Sequence, residues 1–372
     1  MKLKNKNLRR VIAGVLAVIM TLALLTGCGS TTSAMTFGQV KITSNMFVYW
    51  MSKYKAMYLY SMFGTTTDNP QYWTSKMTDT VTVGDYLGAM AASQIMQNAI
   101  LLGLFDEYKL TVSDEKMNEI DQAMDTKITQ AGSKSALNSA LSPYGVNADM
   151  LKEIYITEAK ISAVQDYLYG ENGIDKATDA EVAQYFENNY YRMKHILIRT
   201  DVKYEKDADG NPIVNDDGTA YKTIELTETE KAAQLELAAD LEKRIAAGED
   251  YDKLVAEYSE DTGMGHFEDG YYITSACTFL PSEITSAVMK MKVGETKTVE
   301  SSYGISIVKR YDLKPDAYNT EPYKSELIGD LAATVNAVKL QTLVSGYADS
   351  VVINKEVISS YPLSACTANF YY

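Results

Sequence analysis

The sequence predicts an α+β fold, a larger and mostly helical domain interrupted by a small α/β domain, and three observations lead there. Apolar residues recur at three- and four-residue spacing over most of 36–190; short β-type runs separated by turn dipeptides take over in 191–313; helical spacing returns after Pro315. A chain of 372 residues with 46% hydrophobic content is long enough to bury two such cores.

Val40 and Ile42 alternate with polar residues and lead into Thr43-Ser44-Asn45, a cap for a helix whose apolar side is Phe47, Trp50, Met51, Tyr54, Met57, Tyr58 and Met62. Residues 83–108 are apolar on most faces, and Ala89, Ala91, Ala92, Ala99 and Gly103 let neighbours approach closely, so this is a central core helix. Ser113-Asp114-Glu115 opens another helix. Asn147-Ala148-Asp149 opens one that runs through Ile154, Ile161, Val164 and Leu168 to a stop at Gly170. Thr178 with Glu181 is a capping box for a last helix through Val182, Tyr185 and Phe186.

In the second region 193–198 is a compact apolar strand around His195. Asp209-Gly210 and Asp216-Asp217-Gly218 flank Ile213-Val214 as turn signals of an inserted hairpin. Asp207-x-Asp209-Gly210 is no calcium loop, because its glycine stands at the fourth position where an EF-hand needs it at the sixth. Thr227 with Glu230 caps a helix that ends near Gly248, and 251–258 is a shorter one. Gly-rich sequence from Gly263 to Gly270 leads to Tyr271-Tyr272-Ile273, then comes a helix to about Met291 and two closing strands around Tyr303-Gly304. A helix over 322–347 follows. One helix cannot bury its apolar face alone, so it is expected to return to the first helical domain and make that domain discontinuous.

The chain's formal charge is -14, yet Lys2, Lys4, Lys6, Arg9 and Arg10 stand in the first 27 residues with no acid, so the remainder is five charges more acidic still. Such a body excludes nucleic acid as a partner, which needs clustered Lys and Arg. Two histidines and three cysteines leave little for a metal site of the N/S type and none is expected, while an acid-only calcium site stays open. Twenty-eight tyrosines against eight phenylalanines point to half-wet aromatic surfaces. The basic start, the apolar run 11–25 and Leu25-Thr26-Gly27-Cys28 read as an export signal, too short at 15 apolar residues for a membrane span.

That tetrapeptide resembles the bacterial lipobox, which implies cleavage after residue 27 and lipidation of Cys28. Residues 28–35 are then a polar tether, and the folded body stands outside the membrane on the outer face of the bacterial cell membrane. In that oxidising setting Cys277 and Cys366 either pair or serve as two separate small apolar residues.

Four segments resemble the parvulin-type (PpiC) peptidyl-prolyl cis-trans isomerases: Lys194-His195-Ile196-Leu197-Ile198; Gly248-Glu249-Asp250-Tyr251 with Tyr258-Ser259-Glu260-Asp261; Ala287 with Lys292-Val293-Gly294-Glu295; and Tyr303 through Lys309. With the lipobox and flanking helices, the chain resembles the PrsA/SurA-type extracytoplasmic foldases. The implied domains are signal 1–27, tether 28–35, helical chaperone domain 36–190, parvulin-like domain 191–313, and a C-terminal helix and tail 314–372 packing on the helical domain. The resemblance implies a foldase that binds unfolded or partly folded exported proteins and isomerises X-Pro bonds, without a cofactor, anchored to the bilayer through Cys28. A homodimer stays open.

Residue by residue, the resemblance assigns His195 to the first-strand histidine, Asp261 to the acidic or thiol position, Leu280 and Ile284 to the proline pocket, and Tyr303 to its margin. The family's second histidine is replaced by Ser306, which is expected to break the hydrogen-bond network that fixes the first histidine. A weak isomerase, or a non-catalytic holdase with a degenerate parvulin module in which His195 is a satisfied core histidine, are the two readings left. His266, in the Gly-rich loop, is expected to be exposed and structural.

Overall fold

The computed structural model describes residues 32–209, 213–216, 218 and 221–372. The signal, the lipobox with Cys28, and the turn residues Gly210 and Asp217 lie outside the described residues. In chain order the elements are β1 (Ser33–Phe37), β2 (Val40–Thr43), α1 (Ser44–Phe63), α2 (Pro70–Thr74), α3 (Val83–Glu107), α4 (Asp114–Ala131), α5 (Lys134–Leu141), α6 (Ala148–Tyr169), α7 (Asp179–Asn189), β3 (Tyr191–Arg199), β4 (Val202–Tyr204) and β5 (Thr223–Glu225). Then come α8 (Glu228–Ala246), α9 (Tyr251–Tyr258), β6 (Tyr271–Ile273), α10 (Ser282–Val288), β7 (Thr296–Ser301), β8 (Gly304–Tyr311), α11 (Leu331–Tyr347), β9 (Val352–Ile353) and α12 (Lys355–Ser359). The fold class is α+β, in two compact units: the chain up to Lys176 with Ala337–Tyr372, and the inserted Ala177–Asn336.

The first unit is built on α3, whose Ile95, Ala99, Ile100, Leu101 and Leu104 are fully buried. By length and composition this helix could cross a membrane, but its burial makes it the core helix of a packed unit. Thr43 caps α1 by accepting from the Met46 N–H at 3.3 Å. The C-terminal segment supplies Val344, Val351, Leu363 and Cys366 to the same core. Lys55, on α1, is 1% exposed. Its ammonium donates to the carbonyls of Ser364 (2.9 Å) and Cys366 (2.7 Å), meets Asp68 at 2.6 Å and lies over the Trp73 ring.

One expectation is corrected in this unit. Residues 33–35 are not tether. They begin β1, which lies between β2 and β9 with Ala34 and Met35 buried; the register with β2 shifts between Ser33 and Met35, so these two successive side chains do not follow simple alternation. Cys366 and Cys277 are both free thiols, one in each unit.

The second unit is a four-stranded antiparallel sheet in the order β6-β3-β8-β7, with β3 paired to β8 from Arg192↔Tyr311 to Arg199↔Gly304. Helices α8 and α9 pack on β3, and α10 on β7 and β8. Its limits differ from the expected 191–313. Phe186 of α7 packs its ring against Tyr272 and Tyr318 at 5.7 and 5.2 Å, and Ala317, Tyr323, Ile328 and Leu331 join the same core. An amphipathic pattern shows that a face is buried and not which core buries it, so α7 and the stretch after Pro315 were open to misassignment. The expected continuous helix over 322–347 is also broken. A π turn over Lys324–Ile328 ends at Gly329 with φ 75°, and α11 restarts where Asp330 accepts from the Ala333 N–H.

Candidate active site

The site grows from β3. It is a central strand between β6 and β8 with α8 and α9 packed on it, and Met193, His195, Ile196, Leu197 and Ile198 are all buried. Strand β6 covers only the first part of the other edge, from Tyr191↔Ile273 to Met193↔Tyr271. The chain leaving α9 takes over the rest. The Glu260 N–H donates to the Leu197 carbonyl (2.8 Å), and the Ser259 hydroxyl accepts from the Leu197 N–H and donates to the His195 carbonyl, each at 3.1 Å. Asp261 therefore stands one residue past a pegged segment and faces the imidazole.

His195 is 2% exposed and Ser306 is fully buried. Nε2 of His195 lies 2.7 Å from Oδ2 of Asp261, and Nδ1 lies 3.2 Å from Oγ of Ser306 on β8. Asp261 also accepts from the Gly263 N–H and from the Tyr271 hydroxyl, each at 2.9 Å. A Cβ on Gly263 would fall 2.7 Å from that hydroxyl, so only glycine leaves room for this approach.

Burial pushes the Asp261 carboxyl upward, but the bond and charge of His195, the Tyr271 hydroxyl and the Gly263 N–H outweigh it and hold the group below the ordinary aspartate value. Burial first, and the Asp261 charge second, push the Tyr271 phenol well above its ordinary value, so it stays protonated and donates. An ionised carboxylate only accepts, which puts a proton on Nε2, while Nδ1 is hydrogen-bonded to the Ser306 hydroxyl, a group that can either donate or accept. The result is one hydrogen-bonded row, Tyr271–Asp261–His195–Ser306.

This corrects the expectation that serine breaks the network: a hydroxyl on the neighbouring strand, diagonal to His195, reaches Nδ1 without a second ring. Ile284 is buried on α10, Leu280 is half-buried just before that helix, and both pack into the core that holds Ile196 and Tyr271. Tyr303 is placed elsewhere. It sits in the β7–β8 turn, 47% exposed, under the Arg199 guanidinium, which is four residues along β3 from His195, about 13 Å at the strand rise. Arg199 is itself paired with Asp201 at 2.7 Å. His266 is exposed and meets Glu326 at 2.9 Å.

Sequence reasoning missed Ser259 as a peg, and Tyr271. The signal for Tyr271 was present only as an aromatic directly after Gly270, whose φ of 84° turns the chain into β6. Phe279 was missed as well; it is 49% exposed and packs edge-on against Tyr271, ring centroids 5.3 Å apart.

A four-stranded antiparallel sheet with this buried row defines the class. Residues 195–312 match the family model described as rotamase, PPIC-type PPIASE domain. The second unit thus carries a parvulin-type domain. Among solved structures, the chain is similar to PrsA from Bacillus subtilis, at 23% identity over 75% of this chain and 91% of that one with a TM-score of 0.23. It is also similar to the peptidylprolyl isomerase PrsA from Bacillus cereus, at 17% identity over 77% and 90% with a TM-score of 0.28. The foldase protein PrsA from Streptococcus pneumoniae shows 14% identity over 76% and 95%, with a TM-score of 0.23. No curated protein matches the chain. TM-scores this low leave the functional reading to rest on the site and on the domain match.

Proposed function

We propose that this chain is a membrane-anchored extracytoplasmic foldase that binds unfolded exported proteins and catalyses cis-trans isomerisation of X-Pro bonds. The observation that carries the reading is the buried row Tyr271–Asp261–His195–Ser306 inside a segment matching the PPIC-type domain. Rotation about an X-Pro amide meets a barrier of about 18–20 kcal/mol from C–N double-bond character. Lowering it requires no covalent intermediate. Half-buried Leu280 offers apolar surface for the proline ring, with Ile284 in the core that carries it, and an apolar surrounding strips the water that stabilises the planar amide dipole. The row is already held by its own bonds, so it need not reorganise as the amide twists.

Client binding is assigned to the first unit. The second half of α1 leaves Met57, Tyr60 and Met62 exposed, and Met77 and Met90 are exposed in the same unit; thioether side chains adapt to many partners. The anchor is assigned to Cys28 from the lipobox.

The test uses the chain from residue 28 with Cys28→Ser, in a protease-coupled assay of an Ala-Pro tetrapeptide. Isomerisation above the spontaneous rate is expected. No rate above spontaneous, with retained suppression of client aggregation, would move the assignment to a holdase. In the native host, Cys28→Ala is expected to lose the lipid label; a Cys28→Ala protein that stays in the membrane fraction with its lipid label undiminished would remove the anchor.

A further inference from the structure

We infer that Tyr271 is a positioning residue: its hydroxyl fixes the Asp261 carboxylate against His195, on the side opposite the serine that stands where the parvulin family has its second histidine. This rests on the isomerase reading and adds a residue to its machinery.

The geometry is the argument. Oδ2 of Asp261 receives both the Tyr271 hydroxyl at 2.9 Å and Nε2 of His195 at 2.7 Å, while Oδ1 takes the Gly263 N–H. With both oxygens engaged, the carboxylate cannot rotate about its Cβ–Cγ bond without losing a bond. The phenol, held protonated by burial, always donates. Its ring is gripped on two sides, by Phe267 (centroids 5.5 Å, 59°) and Phe279 (5.3 Å, 67°), so the hydroxyl is aimed by packing and does not depend on the carboxylate for its direction. The cost at the other end is visible too: a side chain on Gly263 would collide with that hydroxyl, and the loop keeps glycine there. The groups facing Asp261 from its neighbours are thus His195 from β3, Tyr271 from β6 and the Gly263 amide. Without the Tyr271 hydroxyl the carboxylate would be held by one bond per oxygen, the Gly263 N–H on Oδ1 and the imidazole on Oδ2; Tyr271 adds a second bond at the oxygen that meets the imidazole.

The variant is Tyr271→Phe, which keeps the gripped ring and removes only the hydroxyl. In full-length protein from residue 28, carboxyl-carbon NMR of Asp261 is expected to show its titration moved upward, and the Nε2 proton of His195 to exchange faster. kcat/KM for the tetrapeptide is expected to fall roughly ten-fold, mostly in kcat, with KM within about two-fold. An unchanged Asp261 titration and His195 proton would overturn the inference, and so would shifted resonances with unchanged kcat/KM. The NMR readout needs no turnover, so a parent without isomerase activity but with the same shifts would sink the isomerase reading and leave Tyr271 as the group that orients Asp261. Should Tyr271→Phe lower thermal stability, Phe267→Leu serves as the comparison: it loosens the grip and leaves the hydroxyl, and a smaller titration shift is expected there. An equal shift in both would overturn the inference.

Discussion

Lys55 in the first unit and His195 in the second are buried to nearly the same degree, at 1% and 2% exposure, and both meet an aspartate. Their surroundings differ in one respect. The ammonium of Lys55 has three donors and three acceptors at 2.6–2.9 Å, two of them backbone carbonyls, with Trp73 over the remaining face, so it is saturated and has nothing left for a ligand. His195 ends in a carboxylate that is 17% exposed, orientated by a tyrosine whose packing partner Phe279 is half in solvent. A buried titratable group whose partners close around it is a clamp, and one whose partner chain leads to the surface is a site.

The comparison breaks first at the clamp. Lys55→Met is expected to lower unfolding stability by about 2 kcal/mol, because it leaves the Ser364 and Cys366 carbonyls without their donor and removes the ion pair to Asp68, and to leave tetrapeptide isomerisation unchanged. Urea unfolding followed by far-UV circular dichroism, beside the peptide assay, reads both. Loss of isomerisation in a folded variant would show that Lys55 is no mere clamp.

Asp261→Asn is the mirror experiment. It should reduce kcat/KM by roughly ten-fold or more and also cost the stability that the ionised carboxylate contributes, since an amide fills the same volume but cannot accept all three of its bonds. Its pH counterpart follows from the depressed carboxyl: the folded group titrates below its unfolded value, so its contribution to stability is fully present above the ordinary aspartate range and is lost as pH falls through the folded value. Activity carried by the ionised row should therefore hold through mildly acidic pH and fail only below that range. A rate profile that fails well above it would assign the ionisation to another group. Ser306→Ala is the smallest step, about three-fold in kcat/KM, as Nδ1 loses one hydrogen bond.

Much of this was legible in the sequence where the signal is local. The capping boxes Thr178/Glu181 and Thr227/Glu230 form as their spacing requires, and Thr43 caps α1. The resemblance to the parvulins, carried by four short segments, led to His195, Asp261 and Ser306, which the fold brings into one row. What escaped depends on partners far along the chain. Strand β1 departs from alternation where its register with β2 shifts at Ala34; α5 is eight residues long; and Lys55 sits on the apolar stripe of α1, where a lysine reads as solvated until Ser364 and Cys366 arrive some three hundred residues later. Tyr271 escaped for the same reason. An aromatic in a strand reads as core, and only the meeting of β6 with the loop after α9 reveals its hydroxyl as a donor.

The short reach of β6 carries one more consequence. Because β6 stops at Met193, the segment Ser259–Glu260 is stapled to the remaining edge of β3 through the His195 carbonyl and both backbone groups of Leu197. The next side chain is delivered to the imidazole whatever its chemistry. Position 261 behaves as a socket: a carboxylate or a thiol can be exchanged there without redesign of its mounting, so evolution can retune the proton affinity beside the histidine one residue at a time while the scaffold that presents it stays still.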